Sequence, residues 1–106
     1  MSMDPVFKAL ADASRRQLLD SLEARNGQTL NQLCQGLDMS RQAVMKHLQI
    51  LAGANLVATQ KRGREKLHYL NPVPINEIAE RWIGKFERTR LRALSELKKQ
   101  LERKDR

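Results

Sequence analysis

Between Thr29 and Leu51 the residues alternate in a way that allows two short helices joined by a turn. Leu30, Leu33, Cys34 and Leu37 recur at i, i+3, i+4 and i+7, the spacing of one apolar helix face. Thr29 with Gln32 three positions on is a capping box, which satisfies two backbone donors at a helix start. Gly36-Leu37-Asp38-Met39 is a tight turn. Ser40 then caps a second helix, whose buried face is Val44, Leu48 and Leu51. Two short helices joined in this way form a helix-turn-helix pattern.

The flanks add more elements. Asp4-Pro5 reads as a helix start, with Asp as cap and Pro in the first turn, and Phe7, Leu10 and Ala11 mark one face. Ser14 with Gln17 reads as a capping box for a second helix, striped by Leu18, Leu19 and Leu22 and stopped at Asn26-Gly27. Asn55 ends the helix that began at Ser40, because Asn tolerates positive φ. Leu56–Gln60 and Lys66–Leu70 have strand character, with Leu67 and Tyr69 alternating in side with Lys66 and His68. Arg62-Gly63-Arg64 is the hairpin tip between them. Asn71-Pro72-Val73-Pro74 breaks the pattern, and from Ile75 one long helix is expected. Its seam is Ile75, Ile78, Trp82, Phe86, Thr89, Ala93, Leu97 and Leu101. The expected fold is mostly α with a small β-hairpin, a winged helix-turn-helix in the order ααααββα. It is expected as one domain over 1–106, with a core at 5–72 and a C-terminal dimerisation helix at 75–104.

Charge and length narrow the function classes. The net charge of +8 suggests a polyanionic partner. It is densest at residues 56–72, where Lys61, Arg62, Arg64 and Lys66 face Glu65 alone. No apolar run approaches the ~20 residues of a membrane helix, so no membrane partner is expected. The start, Met1-Ser2-Met3-Asp4-Pro5, lacks a basic-then-apolar leader pattern, and there is one cysteine; a cytoplasmic protein without internal disulfides is expected.

In a helix-turn-helix the second helix enters the major groove of double-stranded DNA while the first sets its angle. The outward positions of the second helix are Ser40, Arg41, Gln42, Met45, Lys46 and Gln49. Arg and Lys can donate to guanine O6 and N7, and Gln can pair with adenine. A hairpin after such a motif acts as a wing along the phosphates, for which Arg62, Arg64 and Lys66 have the charge and Gly63 the turn geometry. Alternatives stay open: the polar face could be only solvated, the module could be a protein–protein adaptor, or it could bind DNA without sequence preference, as nucleoid proteins do.

The runs Ala9–Leu19, Leu33–Leu51, Leu56-Val57 and Lys61–Leu70 together resemble the ArsR-like winged helix-turn-helix repressor family over most of residues 6–72. The resemblance implies a transcriptional repressor, a symmetric dimer with both terminal helices at its interface, and DNA release on an effector signal. Asp38 stands where members often have Gly, Met45 where many have Ser or Thr, and Asn55 where Gly is usual. Met45 could instead meet a thymine methyl.

The family's metal sites do not carry over. Its Cys-x-Cys pair would fall on the third helix, where only Cys34 is present, and the last helix has neither His nor Cys. No metal and no cofactor are expected. No catalytic residues are expected either, since there is no glycine-rich phosphate loop and no plausible triad. Cys34 reads as a small core hydrophobe, with redox sensing as the sharper alternative. His47 either packs at the domain edge or touches DNA. Phe7, Leu10, Trp82, Phe86, Ala93 and Leu97 are expected at a homodimer interface, because the last helix has more apolar seam than so small a domain can cover.

Overall fold

The structure is a computed structural model that describes residues 2–104; Met1, Asp105 and Arg106, at the ends of the expected 1–106 domain, lie outside the described residues. The elements follow in the order α1 (Asp4–Leu10), α2 (Ala13–Ala24), α3 (Leu30–Gln35), α4 (Arg41–Gly53), β1 (Val57–Arg62), β2 (Glu65–Leu70), α5 (Val73–Ile78), a π-helical segment (Ala79–Gly84) and α6 (Lys85–Lys104). The helix-turn-helix is α3 and α4, and β1–β2 is the wing. Among the described residues no helix is long and apolar enough to cross a membrane. The chain divides into two compact units, residues 1–74 and 75–106.

The first unit is built on a small apolar core. Leu18 and Leu22 from α2, Leu33 from α3, Val44 and Leu51 from α4, and Leu56 at the foot of the hairpin are fully buried. Thr29 caps α3 with both bonds of the capping box, and Ser40 Oγ accepts from Ala43 N at the start of α4. Asn55 takes φ +64, so the chain reverses out of α4 into β1. The strands pair antiparallel from Val57↔Leu70 to Arg62↔Glu65, leaving the two-residue turn Gly63-Arg64. Gly63 sits at φ +64, the first central position that a type II′ turn reserves for glycine.

Several local readings change. The buried face of α1 is Val6 and Ala9, not Phe7, Leu10 and Ala11; Phe7 and Ala11 are exposed and Leu10 half-buried. The cap of α2 is Asp12, whose Oδ2 accepts from Arg15 N at 3.0 Å, and Ser14 lies inside the first turn. A carboxylate on an extended residue takes the orphan amide before the hydroxyl can. Cys34 is half-buried rather than buried. His68 is the buried member of β2, whereas the sequence pattern places it with the outward Lys66.

Helix α5 begins at Val73, two residues before the expected start, because Pro74 fits a first helical turn. One long helix becomes three helical segments, with the backbone widened to π geometry at Ala79–Gly84. There Arg81 lies over the Trp82 ring, 5.1 Å from its centroid. Leu91, Leu94, Leu97 and Leu101 are all exposed along α6.

Glycine matters at two places for different reasons. Gly27 has φ +80 and its α-carbon faces Tyr69, so an added Cβ would lie 3.1 Å from the ring; around Gly63 nothing lies within 4 Å. Gly63→Ala is expected to cost about 1 kcal/mol from backbone strain alone, and Gly27→Ala about 2–3 kcal/mol because strain and crowding add. Urea denaturation of both variants checks this, and equal losses would show that the Tyr69 ring moves aside freely.

Candidate nucleic-acid interface

Burial of Val44, Leu48 and Leu51 leaves the opposite side of α4 in solvent. Arg41, Gln42, Met45, Lys46 and Gln49 are all exposed there. Ser40 is exposed too, but its Oγ is engaged as the helix cap. On the hairpin, Arg62, Gly63, Arg64 and Lys66 are exposed.

Five of these ten residues meet in one groove of about 410 Å³ between α4 and the hairpin: Arg41, Met45 and Gln49 from the helix, Arg64 and Lys66 from the wing. Ser40, Gln42, Lys46, Arg62 and Gly63 do not line it. Two residues that sequence reasoning missed belong here. Asn31 lines the groove, and its Oδ1 accepts from Arg41 Nη1, so the guanidinium is held from α3. Lys61 stands directly across the hairpin from Lys66 and, with Thr59, Arg64 and Glu65, lines an adjoining hollow of about 290 Å³. The charge run 61–66 was a signal for Lys61; nothing local marked Asn31, whose partner is ten residues away.

Strand alternation explains this face. Val57, Thr59 and Lys61 share one side of the hairpin with Leu70, His68 and Lys66. That side is buried at its foot, at Val57 and His68, and turns basic toward its tip. Like charges directly opposite on a ladder are unfavourable, so Lys61↔Lys66 is a local cost that an anion between them would relieve.

A two-stranded hairpin is marginal alone, and polar bonds hold this one to the body. Gln28 N donates to His68 O at 3.1 Å and His68 N to Gln28 O at 2.8 Å. His68 Nδ1 also donates to Gln28 O at 3.0 Å, since a carbonyl only accepts. The Gln28 amide turns back to α2, donating to Ser21 O at 2.9 Å and Arg25 O at 2.7 Å. Near the hairpin's foot, Leu70 N donates to Asn26 Oδ1 and Asn71 Nδ2 to Asn55 O, both at 2.8 Å.

The other flank of α4 meets the start of α2. His47 Nδ1 lies 4.0 Å from Asp12 Oδ2 and 3.5 Å from Arg15 Nη1. The hydrogen bond from Arg15 N, aided by the charge of Arg15, lowers the Asp12 pKa below its ordinary value. Among the described residues no three His, Cys, Asp or Glu side chains converge in a way that could hold a metal ion.

Gln28→Leu removes the donors that cover the last carbonyls of α2. It is expected to destabilise the fold by about 1–3 kcal/mol, read by thermal or urea unfolding. Unchanged stability would mean that water replaces the amide at no cost.

Comparison with known proteins places this architecture. A family described as a helix-turn-helix domain matches residues 10–60. YuzN, an uncharacterized HTH-type transcriptional regulator of Bacillus subtilis strain 168, is 37% identical over 86 residues, covering 76% of this chain and 94% of that protein. The transcriptional repressor SdpR of the same organism is 28% identical over 84 residues, covering 79% of this chain and 91% of SdpR. The solved structure of an ArsR-like transcriptional regulator from Rhodococcus sp. RHA1 superposes with a TM-score of 0.69 at 35% identity, over 90% of this chain and 91% of that one.

Proposed function

Since the chain belongs to the ArsR-like family of winged helix-turn-helix, DNA-binding transcriptional regulators, we propose that it is a repressor that binds a palindromic operator as a homodimer, without a metal. The observation that carries this reading is the shared groove. Side chains able to read base edges, on α4, and side chains able to neutralise phosphate, on the wing, line the same concavity. The opposed Lys61 and Lys66 support it, because the hairpin accepts repulsion that bound phosphate would relieve.

In this reading Arg41, Gln42 and Lys46, with Met45 and Gln49, contact bases. Ser40 meets backbone phosphate, and Arg62, Gly63, Arg64 and Lys66 follow the DNA backbone. The dimer is formed by Phe7 and Leu10 of α1 with Trp82, Phe86, Ala93 and Leu97 of the C-terminal helices. Supporting it, Trp82, Phe86 and Leu97 are 47%, 68% and 52% exposed in the chain, well beyond what isolated surface apolar residues need. Metal independence rests on donor chemistry: Cys34 is the one thiol of the chain, and His47 and His68 are engaged on separate elements. The chain is read as a regulator and not an enzyme, acting in the cytoplasm without a cofactor, within residues 5–72 for DNA and 75–104 for dimerisation.

Selection of bound duplexes from a random library tests the whole. The expected product is an imperfect palindrome whose half-sites lie about one helical turn, ~34 Å, apart. Arg41→Ala or Gln42→Ala is expected to relax preference at particular bases, by about 1–3 kcal/mol for a bidentate contact. Arg64→Ala is expected to weaken all sequences alike and to flatten the salt dependence by about one unit. Wing variants that change base preference while helix variants do not would reverse these roles. If neither class affects DNA binding, a protein–protein adaptor becomes the better reading, and binding without any selected site points to a nucleoid-type protein.

The dimer and the metal are tested separately. Sedimentation is expected to give a dimer at micromolar concentration, and a stable monomer there would count against it. Binding to the selected site is expected to be indifferent to chelator and to added zinc. Tight zinc binding abolished by Cys34→Ser would overturn metal independence.

A further inference from the structure

We propose that Arg15 is a positioning residue for DNA recognition: its guanidinium ties the end of α1 to His47 in the middle of α4, and so sets the angle of the recognition helix from the α1 side. This rests on the reading in which α4 reads DNA and α1 belongs to the dimer.

The geometry has three parts. Helix α1 is seven residues long and ends without a glycine cap. Its last carbonyls are covered by α2: Arg15 Nε donates to Ala9 O at 2.8 Å, Arg15 Nη2 to Lys8 O at 3.0 Å, and Arg16 Nη1 to Leu10 O at 2.7 Å. Charged donors at a helix C-terminus make strong, directional bonds. The remaining arm of the Arg15 fork, Nη1, reaches His47 Nδ1 at 3.5 Å. A guanidinium only donates, so Nδ1 is the acceptor in this contact. The root of Arg15 is fixed as well, because Asp12 Oδ2 accepts from its backbone N.

This fork does what the apolar core cannot. Val44, Leu48 and Leu51 hold α4 by burial, which has no direction, and α1 and α2 pack on α4 beside them. A tilt of ~6° moves the end of a helix ~20 Å long by ~1 Å about its centre, enough to spoil a bidentate contact to a base. In a two-fold dimer any such tilt acts on both half-sites and changes the spacing between them. The Arg15 fork, bonded to both α1 and α4, resists that tilt.

The test selects paired half-sites from duplexes whose spacer varies by single base pairs. It compares the wild-type chain with Arg15→Lys, His47→Ala and His47→Gln, with thermal melting of each. Wild type is expected to favour one spacing. Arg15→Lys keeps the charge but loses the fork, and His47→Ala loses the acceptor; both are expected to lose spacing discrimination by roughly 2- to 30-fold while base preference within each half-site is retained. His47→Gln, which still offers an acceptor, is expected to behave as wild type. A change in stability alone would not alter the preferred spacing. If Arg15→Lys does not fold, the two variants at half-buried His47 decide the matter. Unchanged spacing in folded His47→Ala overturns the proposal, as does His47→Gln behaving like His47→Ala. Relaxed preference at a single base pair with spacing kept makes His47 a base-reading residue and also overturns it. If the wild-type chain selects no paired half-sites, the dimer reading itself fails and the proposal falls with it.

Discussion

The narrow apolar stripe of α4 is the constraint on which the first unit depends. Val44, Leu48 and Leu51 are buried, and every other long side chain of that helix is exposed or half-buried. Leucines of α2 and α3, and Leu56 at the foot of the hairpin, close on the same stripe. Each such side chain contributes about 1.5–3 kcal/mol on burial. Exposed ion pairs such as Lys99–Glu96, at 3.7 Å, contribute far less. Burial therefore holds the helix from one side, and part of the side left in solvent, at Arg41, Met45 and Gln49, lines the groove.

Apolar burial brings these elements together, but hydrogen bonds determine where each begins and ends. Helices of six or seven residues are unstable in isolation, and α1 and α3 are that short. Each has one end satisfied by a neighbour or a cap. Arg15 and Arg16 cover the end of α1, Gln28 covers the end of α2, and Thr29 with Gln32 closes the start of α3. The same Gln28 pairs with His68, so one residue both finishes a helix and anchors the wing. The groove between α4 and the hairpin keeps its shape because these bonds have direction.

Local chemistry was legible wherever both partners lie within a few residues. Thr29 and Gln32, Ser40 as a cap, Asn55 at positive φ and Gly63 in the turn could all be read along the chain, as could the outward residues of α4. The misreadings arise where two nearby groups compete or where the partner is distant. Asp12 takes the cap that the Ser14–Gln17 spacing suggested, because its carboxylate already meets the amide of Arg15. His68 is drawn inward by a carbonyl forty residues earlier in the chain. The buried face of α1 follows from where α2 and α4 stand, and α1 is too short for periodicity to choose between Val6 with Ala9 and Phe7 with Leu10.

Spacing, capping residues and the clustering of cations were enough to determine the winged helix-turn-helix and the polar side chains it leaves exposed on α4 and the hairpin, because each of these signals acts within one or two helical turns. Tertiary structure alone decided which of those side chains share a groove, that Asn31 holds Arg41, that Lys61 opposes Lys66, and that Arg15 reaches His47. Those relations join residues on different elements. Strand register and helix crossing set them, and neither is encoded by the spacing of residues within a single element.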